Sequence, residues 1–212
     1  MIIAILGPDG SGKSTTADML VELLQAKGIK SQHHAFRFGI LPPLGLLRFR
    51  YNFVVKKITK NIFRESYINK YDLSKNPSWR SLIYITWYGM DYFLGGIWLS
   101  LKNKFGRGRH IAVFARYFYD YYYQSNNRGL SNWIKQIIEI LVPRPEYIFF
   151  LDRDAQEIHN GKPELPVCEI IKQQGIIRER LSQYPEFQVI DARFGAQKTV
   201  EIIHNILISK NI

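Results

Sequence analysis

The chain has a single cysteine, Cys168, so no internal disulfide framework is open to it and its fold must rest on a packed core. It also lacks an uninterrupted apolar run long enough to cross a bilayer. The nearest approach, LIYITWYGMDYFLGGIWLSL from Leu82 to Leu101, is broken by Asp91 and the Gly95-Gly96 pair and is rich in Tyr and Trp, which marks it as a core helix. Met1 leads within a few residues into a glycine-rich loop and leaves no room for a signal peptide, so a cytoplasmic setting is expected. There is no internal repeat and no low-complexity tract.

Acidic residues are missing from the whole interval between Glu22 and Glu65. Lys27, Lys30, Arg37, Arg48, Arg50, Lys56, Lys57, Lys60 and Arg64 all fall within it, and the formal net charge is +11. Such a balance favours anionic partners. The 27–64 stretch interleaves base with aromatic and aliphatic groups, a pattern that suits contact with an anionic membrane or a nucleic acid, or a solvated face beside a phosphate-binding cleft.

What is present is a chain of 212 residues with 46% hydrophobic content, enough to build one α/β domain around a buried core. Five short apolar runs recur between longer segments of helical period: Ile2 to Leu6, Ile29 to Ala35, His110 to Phe114, Tyr147 to Leu151 and Phe187 to Ile190. Strands alternating with helices predict a parallel sheet covered on both faces. The first helix is expected inside GKSTTADMLVELLQAKG, with Ala17, Leu20, Val21 and Leu24 on one face and Gly28 as the stop. The last runs from about Ala196 to Ser209, with Val200, Ile203, Ile206 and Leu207 inward. The long interval between the second and third runs contains the breakers LPPLG and NPSW, so several helices and loops must fill it. A helical insertion of about 40–105 is the place for a substrate cap.

GPDGSGKS, from Gly7 to Ser14, follows the first strand and opens the first helix, and it satisfies the spacing of a phosphate-binding loop. Glycines at 7, 10 and 12 let the backbone curl so that N–H groups point inward at phosphate oxygens, and the helix N-terminus adds partial positive charge. Lys13 is placed to bridge the outer phosphates, and the Ser14 hydroxyl to take a position on Mg²⁺. Gly7, Gly10, Ser11, Gly12, Lys13, Ser14 and Thr15 are the candidate phosphate contacts. Asp9, inside the loop, either faces a second substrate or stabilises the turn through its own backbone.

The chain resembles the thymidylate kinase group of P-loop kinases, in particular the thymidylate kinase-like proteins of bacterial polysaccharide loci. The resemblance runs nearly end to end, through GPDGSGKST, FRFGILPPLG, WYGMDYFLGG, ARYFYD, PRPEYIFFLD and GKPELP. It implies a single P-loop NTPase domain over 1–212, a five-stranded parallel sheet of order 2-3-1-4-5, and a lid over about 153–175. It further implies transfer of the ATP γ-phosphoryl, with Mg²⁺, to a nucleoside monophosphate such as dTMP or to a related small phosphate acceptor. A homodimer is usual in such a family. Carried over by position, Arg37 and Arg116 would hold the acceptor phosphate, and Arg116 with Lys13 and Asp9 would form the catalytic group. Lys162 and Glu164 would belong to the lid. Asp152 matches a strand-end Asp of the family, although an Asp capping the next helix would look the same in sequence.

Three departures accompany the resemblance. Ala115 stands where the family has an aspartate that organises Mg²⁺, and Gly161 where its lid carries an arginine. Both point to weakened catalysis, and hence to a second reading as an ATP-binding module. Asp91 and Tyr92 occupy the stretch where thymidylate kinases place a base-reading arginine, so Trp87, Tyr88 and Asp91 become a candidate acceptor pocket, or else simply core. Asp120, one turn beyond Arg116, fits either an assisting carboxylate or helix packing.

Overall fold

A computed structural model describes residues 1–42, 79–106, 108–123 and 132–210 of the chain. Five parallel strands form one sheet in the order β2-β3-β1-β4-β5, the order the resemblance implies. The strands are β1 (Ile2–Leu6), β2 (Lys30–His34), β3 (His110–Phe114), β4 (Tyr147–Asp152) and β5 (Phe187–Asp191). The helices are α1 (Lys13–Ala26), α2 (Trp79–Phe105), α3 (Asp120–Tyr123), α4 (Asn132–Leu141), α5 (Ala155–Gly161), α6 (Val167–Leu181) and α7 (Gly195–Ser209).

The three central strands read as nearly continuous apolar runs because both of their faces are covered. Alternation divides them cleanly. Ile2, Ala4, Leu6, Ala112, Phe114, Ile148 and Phe150 face one core layer, shared with α2, α3 and α6, while Ile3, Ile5, Ile111, Val113, Phe149 and Leu151 face the other, under α1 and α7. The flanking strands KSQHH and FQVID are only partly covered, as edge strands are.

Helix α1 buries the face expected of it, with Ala17, Leu20, Val21 and Leu24 inward. Gly28, just beyond the helix, takes φ 78°, where a side chain would be strained. The first core layer is unusually aromatic. Tyr92, Phe114, Tyr117 and Phe118 are all fully buried and meet in tilted or edge-to-face pairs. Two of the buried phenols are satisfied by carbonyls, Tyr117 donating to Pro143 O and Tyr92 to Phe36 O.

The stretch LIYITWYGMDYFLGGIWLSL lies within α2, a single helix of 27 residues that buries Ile85, Asp91, Tyr92 and Leu99. Close approach explains its glycine pair: a Cβ at Gly95 would stand 2.1 Å from the Phe38 ring, and one at Gly96 would stand 2.2 Å from Pro143. Among the described residues no helix is long and apolar enough to cross a membrane. Most of the basic 27–64 stretch, from Arg48 to Arg64, lies outside the described residues, as does much of the 40–105 insertion before Trp79.

Candidate phosphate-binding site

Because every strand is parallel, the loops that follow β1, β2, β3 and β4 emerge along one edge of the sheet, the carboxyl-terminal edge where open α/β folds hold ligands. The loop after the central strand is Gly7–Ser14. Gly10 and Gly12 adopt φ 94° and 93°, and Gly12 is the residue from which α1 starts, so the curl expected of a phosphate loop is present in the backbone.

Lys13 lies inside this curl with 5% exposure. Its ammonium donates to Gly7 O at 2.8 Å and Pro8 O at 2.7 Å, and Asp9 Oδ1 lies 3.5 Å away. Burial pushes the Lys13 pKa down, while Asp120 and Asp9 pull it back up and Arg116 opposes them. Ser11 Oγ is also buried in the loop, and among the described residues it has no hydrogen-bond partner. An orphaned hydroxyl costs roughly 1–3 kcal/mol, which an incoming acceptor oxygen would recover. Ser14 and Thr15, in the first turn of α1, are exposed.

After β3, Ala115 continues the sheet through its amide to His34 O at 3.0 Å, and its methyl is buried in the layer beneath α1 and α7. Arg116 then reaches back over the loop to Asp9, Nη2 to Oδ1 at 2.5 Å. Lys13, Asp9 and Arg116, three residues singled out from the sequence, are therefore in one cluster. Asp120 joins them. It is 1% exposed, and its carboxylate accepts from the Tyr123 hydroxyl, whose oxygen is 3.5 Å from the same Gly7 carbonyl that Lys13 uses. Burial raises the Asp120 pKa to about 6, against the pull of Lys13, Tyr123 and Arg116. Asp120 thus stands at the buried start of α3 and beside the Gly7–Ser14 loop at once.

The loop after β2 forms a second group. Both Asp91 oxygens are taken by backbone, Oδ2 by Gly39 N–H at 2.9 Å and Oδ1 by Leu41 N–H at 2.7 Å. Arg37 lies 3.7 Å from the same carboxylate, donates to Leu41 O at 2.6 Å and sits over the Tyr88 ring at 5.5 Å. The Trp87 indole donates to Pro42 O. Trp87, Tyr88 and Asp91 thus hold the segment that carries Arg37, with Asp91 as its anchor.

The predicted lid comprises α5 and the first half of α6. It meets the phosphate loop directly: a Cβ at Gly10 would be 3.1 Å from Lys162 Cβ and 3.2 Å from Ile158 Cγ2. Lys162 and Glu164 are exposed and paired at 3.2 Å. Gly161 has open space around it, so nothing in the packing requires its missing side chain. The cap of α5 is Asp154, which accepts from Gln156 and Glu157 N–H. Asp152 instead pairs with Arg178 at 2.6 Å, and Arg153 with Glu157 at 3.0 Å, so these two arginines carry carboxylate partners.

Among the described residues no three His, Cys, Asp or Glu side chains group to hold a metal ion on their own. The oxygen donors Ser14, Asp9 and Asp120 suit Mg²⁺, which commonly binds through one or two protein oxygens, substrate phosphates and retained waters. In comparisons with protein-family models and with curated proteins, nothing matches the chain.

Proposed function

We propose that the protein is an ATP-dependent phosphotransferase of the thymidylate kinase type, with a P-loop NTPase fold and a nucleoside monophosphate or related small phosphate as acceptor. The observation that carries this reading is the buried Lys13 inside the Gly7–Ser14 curl, with Arg116 above it and Lys162 beside Gly10. A cationic group inside a glycine-rich curl at a helix N-terminus suits an anion. Its contacts to Gly7 O and Pro8 O are ones that a β- or γ-phosphate oxygen would replace with stronger, charge-assisted bonds.

In the reaction, the bond between the γ-phosphorus and the β,γ-bridging oxygen breaks as an acceptor phosphate oxygen bonds to that phosphorus. Lys13 stabilises the charge on the transferring group, and Arg116 and Arg37 fix the acceptor phosphate. Ser14 would hold Mg²⁺ carried in with ATP, and that ion would supply neutralisation of phosphate charge. Chemistry of this kind is positioning and electrostatics, which a preorganised, partly dry site supplies. ADP release measured across nucleoside monophosphates and sugar phosphates tests the proposal. Acceptor-dependent turnover that vanishes in Lys13→Met supports it, and no turnover with any acceptor counts against it.

A second reading, an ATP-binding module with little or no chemistry, is favoured by the apolar setting of Ala115 and the bare backbone at Gly161. Calorimetry separates the two: tight ATP binding with no acceptor-dependent turnover selects the module.

A further inference from the structure

Helices α2 and α4 turn apolar residues to solvent. Helix α4 buries Lys135 and Ile138 but leaves Trp133, Ile137 and Ile140 exposed, Ile140 at 81%. Recurring at i, i+4 and i+7, these three form one stripe that faces away from the fold. On α2, Phe93, Ile97 and Leu101 form a second exposed stripe at helical spacing, and Phe105 ends it at 78% exposure. The stripes belong to one face, because Phe93, Ile97 and Leu101 line a shallow groove whose other wall is Ile140, Leu141 and Pro143. Single exposed apolar side chains are ordinary, but a contiguous patch of them marks a contact surface.

We propose that this α2–α4 face docks peripherally on an anionic lipid surface. Charge complementarity selects that occupant. The only acidic residues in the two helices are Asp91 and Glu139. Asp91 is buried against the Gly39 and Leu41 amides, and Glu139 is engaged by Tyr122, Tyr184 and Arg180. The exposed charges beside the patch are basic: Lys102 and Lys104 in the last turn of α2, and Arg109 just beyond it. Lys102 Nζ stands 4.1 Å from the centre of the Trp98 ring, and Lys104 Nζ 5.7 Å from that of Phe105. Ammonium groups beside exposed aromatic rings suit a membrane boundary, where the rings enter among the headgroups and the cations meet lipid phosphates. A second copy of the chain would also cover the apolar stripes. It would bring these lysines to helices that offer them no free carboxylate, and like charges across a contact oppose association.

The topology makes such docking compatible with a working site. Helix α2 leads into the start of β3 and α4 into the start of β4, so Phe105, Lys104 and Ile140 lie toward the amino-terminal edge of the sheet. The Gly7–Ser14 loop leaves β1 at the opposite edge and stays open to solvent-borne ligands. The inference therefore stands whether or not that loop binds a nucleotide. The face is also separate from the basic stretch between Arg48 and Arg64.

The experiment is sedimentation of the full chain with sucrose-loaded vesicles of phosphatidylcholine alone, or of phosphatidylcholine mixed with phosphatidylglycerol. The natural chain should sediment with the mixed vesicles and stay in solution with the neutral ones. The pair Ile137→Gln and Ile140→Gln, and separately the pair Lys102→Gln and Lys104→Gln, should each weaken binding by about tenfold or more. Lys198→Gln with Lys210→Gln removes the same charge from exposed positions in and just after α7, on the other side of the sheet, and should change binding by less than about twofold. All six side chains except Lys210's and the two of α2 lie on helices whose cores they do not enter, and thermal melts verify folding; should the isoleucine pair melt early, the lysine pair decides. Equal binding to neutral vesicles, no binding to mixed ones, binding that survives both α2 and α4 pairs, or an equal loss in the α7 pair overturns the proposal. So does a dimer in light scattering that the isoleucine pair dissociates, since the face would then belong to a second copy.

Discussion

Arg116 Nη2 and Asp9 Oδ1 form an ion pair at 2.5 Å that ties the turn after β3 to the middle of the phosphate loop. Because Asp9 Oδ1 is also 3.5 Å from Lys13, one carboxylate oxygen holds the two cations on which the proposed reaction depends. In the proposed reaction the acceptor phosphate takes Arg116 away from Asp9, and a planar guanidinium offering two parallel donors is suited to that exchange. Arg116→Ala should lower acceptor-dependent ADP release by about a hundredfold or more, and Arg116→Lys should recover only part of it, because a point charge cannot span two oxygens. Steady-state kinetics over a range of acceptor concentrations would show this; equal activity in all three proteins would remove Arg116 from the acceptor site.

Asp91 bears on the proposed acceptor side from a distance. Asp91→Ala leaves the Gly39 and Leu41 amides and the Arg37 guanidinium without their common partner. A loss of about 3 kcal/mol is expected, read as a lower urea midpoint. Acceptor KM should rise while ATP affinity stays within about twofold of the natural chain, since the carboxylate serves the Arg37 segment and not the phosphate loop.

Asp120 makes stability depend on pH in a particular direction. Its pKa is about 6 in the folded protein against 3.8 for an ordinary Asp side chain, the rise being due to burial, with Lys13, Tyr123 and Arg116 opposing it and Asp9 adding to it. The folded state therefore holds a proton that the unfolded chain releases between those two values. Its contribution is fully present below about pH 4 and is lost as pH rises through about 6. Between pH 8 and pH 5 the natural chain should gain about 1.5 kcal/mol relative to Asp120→Asn. Urea unfolding of both proteins at the two pH values measures it, and parallel pH profiles would contradict the assignment.

Ala115 is 1% exposed in an apolar layer, so replacing it is not a neutral restoration of an acidic residue. Ala115→Asp should cost about 3 kcal/mol in the free protein, a fall in Tm of roughly 6–12 °C. Saturating MgATP should narrow the gap by mass action if the new carboxylate reaches the bound nucleotide's metal. Thermal melts with and without MgATP check both halves.

The sheet was legible in the chain because its three central strands are nearly continuous apolar runs and the breaks between them are marked by glycine, proline or a charged residue. The register of α1 was equally plain from Ala17, Leu20, Val21 and Leu24. Lys13, Asp9 and Arg116 were legible as separate candidates, but their meeting at one carboxylate oxygen depends on β1 and β3 lying side by side, which no local pattern states. Asp91 was harder, since a buried acid whose partners are backbone amides 50 and 52 positions away has the same appearance in sequence as a ligand-facing one. Asp152 and Asp154 show the limit at short range: both precede α5, and only the geometry separates the cap from the partner of Arg178.

The paired glycines of α2 have a mechanical consequence. With Phe38 seated in the notch at Gly95 and Pro143 in the one at Gly96, the helix is keyed on two sides and can neither slide nor turn without dragging the β2 loop and the approach to β4 with it. That flank of the sheet is thus braced on both sides. The opposite flank is joined to the loop at Gly10 by the stem of Lys162 and the buried Ile158 side chain, so a residue larger than glycine there would push α5 outward.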